Sequence, residues 1–254
     1  MSKTSDSQSI PEGKLLWQPS ELVKSKANIS RYIAWLNETR GLIFESYQSL
    51  WAWSVTDLEG FWSSIWDFFE IKAHRGYTEV LQSRKMPGAN WFVGAHLNYA
   101  EHALSRRDDH PAVIFQSESS KQKVITYREL YRQVAAVAAG LRGLGVKKGD
   151  RVVAVLPNIP ENLVAFLATV SICAIWSSCA PEFGTHSVVE RFQQIEPTVL
   201  LTVDGYQYGG RIYSRIEALD QIQRELPTLK HTILVSCLPN TLGATQVPNT
   251  ICWD

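Results

Sequence analysis

The tetrad Tyr208-Gly209-Gly210-Arg211 is the part of this 254-residue chain best suited to hold an anion. Two successive glycines let backbone amides approach a phosphate or carboxylate, and the adjoining arginine can pair with phosphate or stack on a purine. The hydrophobic pattern predicts a strand over 198–203 before the tetrad and a helix over 212–224 just after it, whose first turn would add partial positive charge. A solvent-facing turn beside a surface arginine has the same sequence, so the tetrad alone leaves both roles open. Other chemistries fail on spacing. Gly143, Gly145 and Gly149 have the form G-x-G-x-x-x-G and fall between a helix and the next strand, the reverse of the order a dinucleotide fingerprint needs, so they read as turn residues. There is no G-x-S-x-G elbow and no G-x-x-x-x-G-K phosphate loop. The six histidines stand singly, and His186, after Gly184-Thr185 at a predicted helix start, reads as a capping or surface group. Cys173, Cys179, Cys237 and Cys252 form no C-x-x-C pair and have no histidine at ligand spacing. They read as reduced, buried thiols of a cytoplasmic chain. No catalytic and no metal-ligating residue is assigned.

The elements that would position the tetrad follow from composition and periodicity. With 45% hydrophobic and 11% aromatic residues the chain can bury a substantial core. Its 25 acidic and 25 basic side chains cancel, which argues against nucleic acid or an anionic membrane as partner. The first residues, MSKTSDSQSIPEGK, lack the apolar stretch of a signal peptide. The triplets Asn28-Ile29-Ser30 and Asn37-Glu38-Thr39 therefore read as chance glycosylation matches. Residues 162–181 carry no charge over roughly the length a bilayer needs. Ser171, Ser177 and Ser178 interrupt them, however, and a buried helix followed by a buried strand has the same hydropathy.

Residues 1–110 hold seven of the nine tryptophans, and Leu50, Trp51, Phe61, Trp62, Ile65, Trp66 and Phe69 recur at helical spacing. This part is predicted to be a helical N-terminal cap whose aromatics pack. Residues 111–254 alternate short apolar runs with amphipathic segments. Strands are expected at 112–116, 151–156, 173–177, 198–203 and 232–235. Helices are expected from the Thr126/Glu129 capping box to Leu144 and at 160–171, 186–195 and 212–224. Such alternation predicts an α/β fold with a mainly parallel, doubly wound sheet. Ligands then belong in the loops after Leu156, Ser177 and Val203.

Several stretches taken together resemble the adenylate-forming acyl-CoA synthetases, in particular their acetoacetate-activating branch. They are Leu16-Trp17-Gln18-Pro19-Ser20, residues 47–53 and 61–69, Met86-Pro87-Gly88-Ala89, and Trp91-Phe92-x-Gly94-x-x-Leu97-Asn98-Tyr99-Ala100-Glu101. Ile125-Thr126-Tyr127-Arg128-Glu129-Leu130 is similar to the family's first core motif, and residues 174–184, AIWSSCAPEFG, to the acetoacetate version of its second. The resemblance implies that residues 91–104 join the cap to an incomplete AMP-binding (adenylation) domain, the first part of the family's large domain. It implies a two-step ligation of acetoacetate, ATP and coenzyme A with Mg2+. Gly209, Gly210, Arg211, Pro181 and Glu182 would be coenzyme A contacts, although Tyr208 stands where acetyl-CoA synthetases carry another arginine. The family's phosphate loop, adenine motif, ribose aspartate and C-terminal lysine would lie beyond Asp254, so these residues alone would bind at most coenzyme A and be inactive. Another short-chain acyl-CoA synthetase, or a non-catalytic module that binds coenzyme A or a partner chain, remain the alternatives.

Overall fold

A computed structural model of the chain describes residues 11–118, 120–238 and 249–253; residues 1–10 and Asp254, on which the expectations about a leader and the chain end fall, lie outside these. The chain forms two compact units, residues 1–96 and 97–254, and the division falls inside the 91–104 stretch.

The first unit contains helices α1 (Glu21–Lys26), α2 (Asn28–Arg40), α3 (Tyr47–Thr56) and α4 (Leu58–Phe68), and a short antiparallel pair, β1 (Glu79–Leu81) with β2 (Trp91–Val93). The Ser46 and Ser49 side chains cap α3 reciprocally, and Asp57 ends α3 and starts α4 by accepting from the Gly60 amide at 3.0 Å. Tyr32, Leu36 and Leu50 are buried among Trp35, Phe44, Trp53, Phe61, Ile65 and Phe68. The Tyr32 hydroxyl satisfies itself on buried Ser64. The expected aromatic stripe packs only in part. Leu50, Phe61 and Ile65 face this core and Trp66 packs on Tyr77 and Phe92, but Trp51, Trp62 and Phe69 are exposed: Trp51 and Trp62 lie one residue, about 100° round the helix, from Leu50 and Phe61, and Phe69 is the residue that ends α4.

The second unit is the α/β layer structure predicted. It opens with the short helix α5 (Tyr99–Ala103) and the antiparallel pair β3 (Pro111–Phe115) and β4 (Lys123–Thr126). Helix α6 (Tyr127–Gly143) starts at the predicted capping box, where the Glu129 carboxylate reaches back 2.8 Å to the Thr126 amide. There follow β5 (Arg151–Val155), α7 (Pro160–Ser171), β6 (Ile175–Cys179), α8 (Thr185–Gln193) and β7 (Val199–Val203). The chain continues through β8 (Gly205–Tyr208), β9 (Arg211–Ser214), α9 (Ile216–Glu225), β10 (His231–Val235) and β11 (Thr250–Cys252). Five strands form one all-parallel sheet in the order β11-β10-β7-β5-β6. Side chains alternate between its faces. Val152, Ala154, Leu201 and Val203 pack with Leu130, Val134, Ala138 and Leu141 of α6 and with α7, while Val153, Val155 and Leu200 pack with Val188, Phe192, Leu219 and Ile222 of α8 and α9.

Three expectations are corrected. The strand expected at 173–177 begins at Ile175, because Cys173 takes a left-handed φ of 60° while closing α7. Residues 211–214 are the second arm of a β-hairpin, and the following helix starts only at Ile216. Strands β1, β2, β4, β8 and β11 were not anticipated.

Asn98 ties the start of this unit together. Its Oδ1 accepts from the amides of Ala100 and Glu101 at 3.0 and 3.3 Å, capping α5. Its Nδ2 donates at 2.8 Å to the Val170 carbonyl in the last turn of α7, which also accepts from the Cys173 amide at 3.0 Å. Asn98→Ala should destabilise the unit by about 1–3 kcal/mol, combining a lost cap with a lost donor. Asn98→Asp keeps the capping oxygen but sets a second acceptor against the α7 carbonyl, and should not rescue it. Denaturant-dependent hydrogen exchange of the β5 amides reads this unit alone, and unchanged exchange in Asn98→Ala would contradict the role.

Candidate functional site

The sheet order sets where a ligand can sit. The first of the five strands, β5, lies between the second and third, β6 and β7, so the chain changes direction across the sheet at β5/β7. Connections leaving the two strands run to opposite faces and leave a crevice at their carboxyl ends. Residues 180–184 follow β6, ending two residues later than expected, and Asp204 with the β8–β9 hairpin follows β7.

The hairpin pairs Gly205 with Ser214, Tyr206 with Tyr213, Gln207 with Ile212 and Tyr208 with Arg211. The Tyr206 and Tyr213 rings stack across it, centroids 5.2 Å apart. Its two turn residues, Gly209 (φ 57°) and Gly210 (φ 73°), are both left-handed, the two-residue turn whose twist matches the flanking strands. This corrects the expected setting of the tetrad at a helix start, so no helix dipole reinforces it. The tip amides instead meet a carboxylate of the chain itself. The Gly209 amide donates to Oε1 of Glu118 and the Gly210 amide to Oε2, each at 2.9 Å. The Gly210 amide, then that of Gly209, hold the Glu118 carboxyl below the usual glutamate range, with burial opposing them. Glu118 escaped sequence reasoning because it lies 91 and 92 residues from the amides it meets.

The hairpin's root is fixed by Asp204, which is fully buried. Its Oδ1 accepts from the amides of Cys237 and Leu238 at 2.8 and 3.2 Å, and its backbone carbonyl accepts from the Arg215 amide at 2.8 Å. At Gly205 a Cβ would overlap the Tyr213 carbonyl oxygen and the Leu238 side chain, so only glycine fits this close approach. The 180–184 turn meets the root. Arg215 donates to the Phe183 carbonyl at 3.3 Å, and the Arg191 guanidinium lies 5.1 Å from the Phe183 ring centroid. Burial chiefly pushes the Tyr206 hydroxyl up in pKa, Glu182 adds to the push and Arg215 opposes it.

The five residues singled out in the sequence therefore occupy two stations. Pro181, which is buried, and Glu182, which is exposed, belong to the turn at the root. Gly209, Gly210 and Arg211 belong to the tip, separated from the root by an arm of four residues, about 10–13 Å at strand rise. All four cysteines are free, but only Cys179 is buried; Cys173, Cys237 and Cys252 are exposed, against expectation, because they lie at strand ends and connections. Although Cys237 as a residue is exposed, the atoms packed around its thiol desolvate it, and that first, then Asp204 and Glu161, push its pKa up to about 12. Among the described residues no group of three or more His, Cys, Asp or Glu could hold a metal ion, and no helix is long and apolar enough to cross a membrane.

Residues 100–250 match the family model of AMP-binding enzymes, and residues 47–103 match that of the acetyl-coenzyme A synthetase N-terminus. The chain is 35% identical to an acetoacetyl-CoA synthetase of Macaca fascicularis over 251 residues, 96% of this chain and 37% of that protein. It is 35% identical over 196 residues to an acetoacetyl-coenzyme A synthetase of Rhizobium meliloti (strain 1021), 77% of this chain and 30% of that protein. The structure of an acetoacetyl-CoA synthetase from Streptomyces lividans superimposes with a TM-score of 0.87 at 44% identity, over 94% of this chain and 37% of that one. The chain thus spans about a third of the length of these relatives, 30–37%.

Two outcomes follow from the root. Asp204→Ala leaves the Cys237 and Leu238 amides without their acceptor and should cost about 3 kcal/mol in denaturant unfolding, with Asp204→Asn intermediate. Equal stability of all three proteins would show that the carboxylate is not the tie. At pH 8 the Cys237 thiolate should be scarcer than that of a free cysteine by about three orders of magnitude. Site-resolved iodoacetamide labelling should therefore find Cys237 slow, and labelling at the rate of free cysteine would refute the desolvation and acidic neighbours around its thiol.

Proposed function

Since the chain belongs to the AMP-binding enzyme family, we propose that it supplies the coenzyme A-facing part of an AMP-forming ligase that converts acetoacetate to acetoacetyl-CoA in the cytoplasm. In that reaction the acid's carboxylate oxygen attacks the α-phosphorus of Mg-bound ATP and pyrophosphate leaves. The coenzyme A sulfur then attacks the acyl carbon of the adenylate, a thioester forms, and AMP leaves with the bonding pair. Water must be kept from the adenylate and the thiol held in line. These residues contribute to positioning. The Gly209 and Gly210 amides and the Arg211 guanidinium receive phosphate of coenzyme A at the tip, and the turn containing Pro181 and Glu182 borders the ligand nearer the sheet. No step of ATP chemistry is assigned to a residue of this chain.

The observation that carries the proposal is the amide pair at the tip, which already grips both oxygens of a carboxylate. A second reading is a non-catalytic coenzyme A-binding module, supported by a five-stranded sheet with a buried cluster on each face within this unit. Identity to acetoacetyl-CoA synthetases supports acetoacetate over another short acid.

Calorimetric titration with coenzyme A should show saturable binding to the chain, weakened about tenfold, or about 1.4 kcal/mol, in Arg211→Ala. Absence of heat at millimolar coenzyme A would contradict both readings. Pyrophosphate release by a version extended to the length of the relatives separates the two. Release dependent on acetoacetate supports the ligase, release with acetate alone overturns the acid assignment, and no release favours the module.

A further inference from the structure

Glu118 lies in the segment between β3 and β4 and is exposed to water. Solvent could satisfy its carboxylate completely, yet both oxygens are taken up by the tip, one amide to each. The donors are backbone groups of two consecutive left-handed glycines, so their direction is fixed by the turn and not by a rotamer. A phosphate monoester presents paired oxygens of the same kind to the same donors. The carboxylate and the phosphate cannot share them, since two anions on one amide pair repel and each N–H has one strong bond to give. The Gly210 and Gly209 amides and burial are the causes of the Glu118 shift, so its hold on the tip is a matter of these hydrogen bonds.

We propose that Glu118 is a self-ligand of the hairpin tip, closing the Gly209–Gly210 anion site until the phosphate of an incoming ligand displaces it. The proposal rests on the reading that the tip receives coenzyme A. Its consequence is a threshold. The intrinsic affinity of the tip is divided by the fraction of molecules in which Glu118 has swung away, so a latch closed nine-tenths of the time weakens binding about tenfold. The latch also favours a dianionic phosphate, which draws more from the amides and Arg211 than a single negative charge can. Because Glu118 is exposed, its carboxylate is rehydrated on release.

Amide resonances of Gly209 and Gly210 test this in the wild-type chain, Glu118→Gln and Glu118→Ala, with unchanged dispersion elsewhere certifying the fold. Without ligand, both wild-type amides should titrate together with a midpoint below the ordinary glutamate value of about 4.3, and the transition should vanish in Glu118→Ala. A flat wild-type titration overturns the latch. With adenosine 3′,5′-bisphosphate at pH 7, the same amides should report binding about 3–10 times tighter in Glu118→Ala than in wild type, with Glu118→Gln between. Equal affinities at the tip overturn the competition while leaving the coenzyme A reading standing. Amides that titrate with pH but ignore the bisphosphate in all three proteins sink the coenzyme A reading and the gating role together. The same gain with inorganic phosphate as with the bisphosphate upholds the latch and removes the nucleotide preference from the site.

Discussion

A buried carboxylate holds the carboxyl edge of the sheet together. Parallel strands end without a turn to join them, so β7 and β10 leave their ladder with two independent connections to be fixed. Asp204 fixes both. Its side chain gathers the amides of Cys237 and Leu238 beyond β10, and its carbonyl takes the amide of Arg215, where the hairpin returns. A carboxylate buried at this depth is tolerable only when hydrogen bonded, and the Cys237 and Leu238 amides supply such bonds. Arg215 then reaches on to the Phe183 carbonyl, so the turn after β6 is set by the same root. The placement of the tip, and of whatever ligand meets it, depends on this one carboxylate.

Much of the second unit was legible because its signals are local. The Thr126/Glu129 box, Pro160 at the start of α7 and the period of Leu130, Val134, Ala138 and Leu141 are short-range features that the sheet does not override. The hairpin was misread for a definite reason. Ile212 lies four residues before Ile216, which is followed at three-residue steps by Leu219 and Ile222, so the helical period extends falsely backwards through 212–215. The competing signal was a Gly-Gly pair flanked by four-residue arms rich in tyrosine, which specifies a hairpin once both arms are weighed. The contact of Glu118 with the tip could not be read at all, since it joins residues with no shared pattern. Nor could the exposure of three cysteines, which depends on where each connection runs.

In the first unit the spacing of aromatics gave the helices but not their facing. Asp57 serves as the end of α3 and the cap of α4, and Trp53 Nε1 donates to the same carboxylate at 3.1 Å. Phe61 and Ile65, one turn apart, join Leu50 inside, while Trp51 and Trp62, each about 100° round its helix from a core residue, turn outward although their spacing fitted the stripe.

Identity of 35–44% over nearly all of the chain with acetoacetyl-CoA synthetases and a parallel sheet of the predicted α/β kind agree on the family. We propose more narrowly that coenzyme A meets this chain at the hairpin that Asp204 anchors. Hydrogen–deuterium exchange of the chain with and without saturating coenzyme A reads this out residue by residue. Protection confined to residues 205–214 and 180–184 is the predicted result. Protection elsewhere with these segments unchanged would contradict it.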